Sequence, residues 1–153
     1  MHPVIAGFLS GAAAGIVMGI ISHALYKSRT FRSSLIVIDG SFFFRTLGKQ
    51  AGPGMVAAAG LVIHLVTSGV FGAIYFIATA ILGISPEAAA SSYILIGLYV
   101  GILWLSMLFI ALPIAGEGFL GRHSGRRSWF EQLLLHMIFF VVYTVIARIL
   151  LGL

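Results

Sequence analysis

Cysteine is absent from the 153 residues, which excludes disulfides, thiol redox catalysis, thiolate metal sites and iron–sulfur clusters. Charge is scarce too: Asp, Glu, Lys and Arg make up 8% of the chain, against about 25% in an ordinary soluble domain. The four acids are too few to cage a hard divalent cation. They fall in loops or at the ends of apolar segments, so no Ser–His–Asp arrangement shares a depth. No P-loop lysine stands among the glycines, which removes a phosphate cradle. No Lys or Arg precedes the first apolar run, and that run is long enough to span a bilayer. It is therefore expected to stay in the protein rather than to be cleaved as a signal.

What fills the chain is apolar. Hydrophobic residues make up 60% of it and the mean hydropathy is +1.12. Spanning a bilayer takes about 20 apolar residues, and four such stretches fit, leaving no room for a separate soluble domain. The expected fold is an all-α integral membrane protein, a four-transmembrane-helix bundle forming one membrane domain over 1–153. Its helices are predicted at about 3–26, 55–82, 88–112 and 129–151. Gly52-Pro53-Gly54 precedes the second helix, and Ser85-Pro86-Glu87 supplies a cap and a first-position proline before the third. Pro113 and Gly116-Glu117-Gly118 break or kink the end of the third, and Trp129 anchors the start of the fourth at an interface.

The connection from Lys27 to Gly52 is basic but not plainly polar. Leu35–Ile38 and Phe42–Phe44 flank Asp39-Gly40-Ser41, a pattern that reads as apolar, turn, apolar in the headgroup region. Asp39 is then a turn residue or a partner of Arg45. The net charge of +5 points to membrane topology rather than nucleic acid, because the cations cluster in two short loops. By the positive-inside rule those loops are cytoplasmic, and both termini lie outside.

In the first helix Gly7, Gly11, Gly15 and Gly19 recur at every fourth position, with His23 continuing the series. These positions share one slowly drifting face, and small residues let two membrane helices approach closely. The second helix carries a matching row, Gly60, His64, Ser68 and Gly72, with Gly97 and Gly101 on the third. Two packed helices with histidines in or near the seam are expected. An oligomer or a larger membrane complex is expected as well, because the second helix cannot fill the glycine faces of both its neighbours.

His64 and His136 are the informative pair. Each falls about 10–15 Å from the same interface at 1.5 Å per residue, on two different helices. Equal depth is what two axial ligands of one haem iron require, and Phe71, Phe139, Phe140 and Tyr143 supply aromatic surface. Haem b bound through His64 and His136, for electron transfer or sensing, is one reading. A hydrogen-bonded structural pair is another, and proton or ion handling a third. His23 and Glu117 are further candidates for proton or ion work; near the ends of their segments, both also have headgroups, water or Arg122 as partners.

The run His64-Leu65-Val66-Thr67-Ser68-Gly69-Val70-Phe71-Gly72-Ala73-Ile74-Tyr75 resembles a stretch of the YagU-like bacterial inner-membrane proteins. Leu112-Pro113-Ile114-Ala115-Gly116 and the segment holding Trp129, Glu131 and His136 are similar to that family too. The resemblance covers about two-thirds of the chain. It implies a small helical protein of the inner membrane, linked to acid resistance, with histidines at the positions of His64 and His136. Alongside haem binding it therefore suggests a non-enzymatic membrane component: an acid-stress protein, a permeation path or an accessory subunit.

Overall fold

The computed structural model covers residues 1–153 and is helical throughout, without strands. Helix α1 runs Pro3–Lys27, α2 Leu35–Thr46, α3 Pro53–Ile81, α4 Pro86–Ser91 and α5 Tyr93–Ser106; the last, α6, is Ser128–Leu151. Helix α5 continues through a π turn, Met107–Ala111, and a short α turn, Leu112–Ile114. Four segments are long and apolar enough to cross a membrane: Pro3–Lys27, Pro53–Ile81, Tyr93–Ile114 and Ser128–Leu151. They pack as an up-and-down bundle, so the protein is a multi-pass helical membrane protein.

Helices α1 and α3 form its tightest seam. A methyl group on Gly7 would lie 2.5 Å from the Gly72 carbonyl oxygen, and one on Gly15 2.5 Å from the Ser68 side chain. One on Gly11 would strike the Ser68 carbonyl, and one on Gly72 the Gly7 carbonyl. Gly19 is looser, with Cδ2 of His64 at 3.3 Å from the same imaginary atom. Backbone meets backbone here because the side chains have been removed. Gly60 serves a different contact, closed by the Ile36 carbonyl of α2. On α5, Gly97 meets only the Phe140 ring and Gly101 meets nothing.

The connection between α1 and α3 differs from the sequence expectation. Asp39-Gly40-Ser41 is no turn: Leu35 to Thr46 is one continuous helix. Leu35, Ile36 and Gly40 share the side of it that lies on α1 and α3, while Ile38 packs on Leu108 and Leu112 of the third span. Gly40 is there for close approach, since any side chain on it would strike the Val56 carbonyl. Main-chain N–H of Leu35 donates to Ser22 Oγ of α1 at 3.0 Å, fixing the start of α2. Phe42, Phe43 and Leu47 remain exposed on the outer side.

The third span also departs from regularity where Pro113 demands it. Proline has no N–H and its ring crowds the carbonyl four residues back. Widening the preceding turn relieves the crowding, and Leu112 N–H reaches back to the Met107 carbonyl, five residues away. At the span's other end, Ser85 caps α4 and Ser92 caps α5 through Ala88 N and Leu95 N. The predicted third helix is thus two helices hinged at Ser92.

Candidate functional site

Below its outer layer the bundle encloses a cavity of about 450 Å³, within the usual range for small-molecule sites. It lies between α3, α5 and α6, with α1 and α2 closing the remaining side. His64 and Asp39 line it with His136, Phe71, Phe139 and Met107. His64 and His136, expected at one depth, stand on one cavity, and Asp39, expected in a turn or beside Arg45, lines it with them.

Nδ1 of His64 donates to Oδ2 of Asp39 at 3.0 Å. Nδ1 of His136 donates to the Gln132 carbonyl at 2.8 Å, one turn back on its own helix. With both Nδ1 atoms engaged, Nε2 is the ring nitrogen left over on each histidine. His64 Nε2 is fully covered and has no hydrogen-bond partner. Buried polar atoms without partners are rare enough that each needs an explanation. Protein atoms cover this one, so it is not open to the cavity that the His64 ring borders.

The cavity's ends are shut by different means. Toward the loop that joins α3 and α4, a tyrosine layer follows one helical turn beyond the lining residues Phe71, Leu103 and Phe139. Tyr75 donates to the Ala89 carbonyl at 2.8 Å, Tyr99 to Phe71 at 2.6 Å and Tyr143 to Gly72 at 2.9 Å. The Tyr75 ring stands 5.3 Å from that of Tyr99 and 5.9 Å from that of Tyr143. His64 is eight residues from Gly72, and His136 seven from Tyr143. Both imidazoles therefore sit roughly 10–12 Å from the tyrosines. At the opposite end, which carries eight of the nine Lys and Arg residues, α2 forms the floor with Leu35 and Asp39. Along the long side between α3 and α5 the backbones stay apart, and Tyr99 bridges them to the Phe71 carbonyl.

The remaining predicted residues take other roles. Nδ1 of His23 lies 3.1 Å from Ser34 Oγ, so it braces the start of α2. Glu117 accepts a hydrogen bond from Ser124 Oγ rather than pairing with Arg122. Arg45, the proposed partner of Asp39, donates instead to the Ala115 carbonyl at 2.6 Å. No three His, Asp or Glu side chains converge into a protein-only metal cage. A Ser–His–Asp triad is not assembled either, because no hydroxyl bonds His64 Nε2.

Sequence reasoning missed three further features. Glu131, at the start of α6, is buried and accepts the Arg32 main-chain N–H with both oxygens at 3.1 Å. That ties the basic loop after α1 to the foot of α6. The tyrosine layer was legible by the argument used for the histidines, since Tyr75, Tyr99 and Tyr143 stand on three spans. Asp39 carried a weaker signal, the helical spacing of its apolar neighbours. No family model, curated protein or solved structure matches this chain, so what the site does rests on its geometry.

Proposed function

We propose that this is a non-catalytic membrane protein that holds an uncharged small molecule within the bilayer, gripped by His64 and His136. The observation that carries this reading is the pair of imidazoles lining one cavity, each with its Nδ1 atom occupied. Closed ends favour a binding site over a permeation path. No hydroxyl bonds His64 Nε2, which favours binding over hydrolysis.

Haem b is a second reading, supported by the same donor set. An Nδ1–H engaged by a carboxylate or carbonyl orients a histidine that ligates through Nε2. His64 and His136 would then be the axial ligands, and the iron would supply reversible electron transfer or gas binding. The lining suits the two propionates of haem poorly, because it contains no Lys or Arg and does contain the Asp39 carboxylate. An uncharged ligand suits it better.

Native mass spectrometry of the protein released from detergent, together with an absorption spectrum, tests both readings. We expect a colourless bound molecule, lost from both His64→Asn and His136→Phe. A Soret band that disappears in both variants would transfer the site to haem. A bound species indifferent to both substitutions would remove the histidines from the site.

A further inference from the structure

We infer that the basic end of the bundle carries a binding surface for anionic phospholipid, formed by Arg32, Arg126 and Arg127 beside Trp129 and Phe130. None of these residues lines the cavity, so the inference goes beyond the ligand-binding reading and stands without it.

Local packing brings the three arginines together. The stem of Arg32, just after α1, lies against Gly125, where an added methyl group would meet Arg32 Cγ at 3.2 Å. Arg126 and Arg127 are the next two residues after that glycine and lead into α6. In the first turn of α6, Glu131 holds the Arg32 main-chain N–H with both carboxylate oxygens. Two segments 99 residues apart are thereby pinned into one surface.

The charge on that surface is unanswered within the chain. All three arginines are exposed, and no guanidinium is paired with a carboxylate. The acids at this end are engaged elsewhere: Glu131 on main chain, Glu117 on Ser124 and Asp39 on His64. Three guanidiniums beside one carboxylate leave an excess of positive charge. Each guanidinium is a planar fork whose N–H groups match the oxygens of a phosphate.

The aromatic neighbours select a lipid over a soluble anion. Trp129 and Phe130 are exposed to 43% and 46%, and they open a helix apolar enough to cross a membrane. Aromatic rings at such a position settle at the headgroup boundary. An occupant that meets both halves of the surface brings a phosphate for the arginines and an apolar chain for the rings. Inorganic phosphate has no chain. A zwitterionic lipid has one, but its own cation stands beside its phosphate and opposes the arginines. A phospholipid of net negative charge satisfies both halves.

The chain has two tryptophans, so Trp104→Phe leaves Trp129 as a fluorescent reporter on the surface itself. The test places this full-length variant in phosphatidylcholine nanodiscs with a minor share of chain-brominated phosphatidylglycerol or, separately, chain-brominated phosphatidylcholine. Quenching of Trp129 then gives the relative association of the two lipids. We expect phosphatidylglycerol to be favoured at least about fivefold, the effect of one cation near a membrane surface. Adding Arg126→Gln with Arg127→Gln should bring the ratio below about twofold. Salt at about 1 M should do the same, because it shortens the screening length to about 3 Å. Lys49→Gln removes a charge beyond the far end of α2, roughly 18 Å from Arg32, and should leave the ratio nearly unchanged. Parity in the parent protein overturns the inference, as does a preference that the double variant or salt leaves intact. An equal fall in Lys49→Gln would spread the effect over the whole basic end and overturn the site. Inorganic phosphate or polyglutamate that abolishes quenching by phosphatidylglycerol would put a soluble anion or an acidic polypeptide on the surface and overturn the choice of occupant.

Discussion

The two long sides of α3 are built on opposite rules. Toward α1, side chains shrink to glycine and serine until carbonyl oxygens touch the facing glycines. Toward α5 the backbones stay apart, and the gap, lined by His64, Thr67, Ser68 and Phe71, becomes a cavity. Hydrophobic burial does not separate the two, because lipid is as apolar as the helices. What differs is surface complementarity. The glycine side gains dispersion contacts and short polar contacts that lipid tails cannot match, whereas the α5 side gains little over lipid. One face therefore holds the bundle together and the other leaves room for a guest.

Substitutions on the two sides should separate this picture sharply. The largest effect is expected from Gly11→Leu, whose side chain meets the rigid Ser68 carbonyl and Gly72 main chain. Overpacking of this kind costs about 3 kcal/mol or more where backbone has to move. Equilibrium unfolding in mixed micelles measures it, and an unchanged midpoint would mean that this seam does not hold the bundle. Tyr143→Phe should cost about 1 kcal/mol. It removes one hydrogen bond, to Gly72, and such bonds in membrane proteins average about 0.6 kcal/mol. A loss above about 3 kcal/mol would assign the tyrosine layer a share of stability now given to the glycines. Gly101→Ala should be nearly silent, since a methyl group there meets nothing within the chain. A loss above about 1 kcal/mol in the same assay would reveal that a second copy packs on α5.

Much of this arrangement was legible before any coordinates. A glycine at every fourth residue has few explanations in a membrane helix, so the spans and the residues of the α1–α3 seam could be named. Depth counting placed His64 and His136 together because helical rise is constant. Neither argument reaches α2. Asp-Gly-Ser between apolar runs is a stronger local signal for a turn than twelve residues are for a helix. The helix forms because Ile36 and Gly40 find a partner surface on α3, at Gly60 and Val56. That contact is tertiary, and its local trace is weak, no more than the helical spacing of the apolar residues around Asp39. Asp39 was misassigned for the same reason: its meaning depends on what packs above it.

The placement of α2 also sets an order of assembly during synthesis. With twelve residues it is roughly 18 Å long, too short to cross a hydrocarbon core of about 30 Å. It leaves the ribosome before α3, the helix that buries it. Until Pro53–Ile81 has inserted, Gly40 has no surface to meet and Asp39 has no His64 imidazole to bond, although Ile36 already has Gly19 of α1 beside it. The second helix made is therefore a late one to dock, waiting at the membrane surface on its exposed phenylalanines. The Asp39–His64 contact forms only once the two longest helices and the segment between them are in place, so it marks the finished state of that half of the protein.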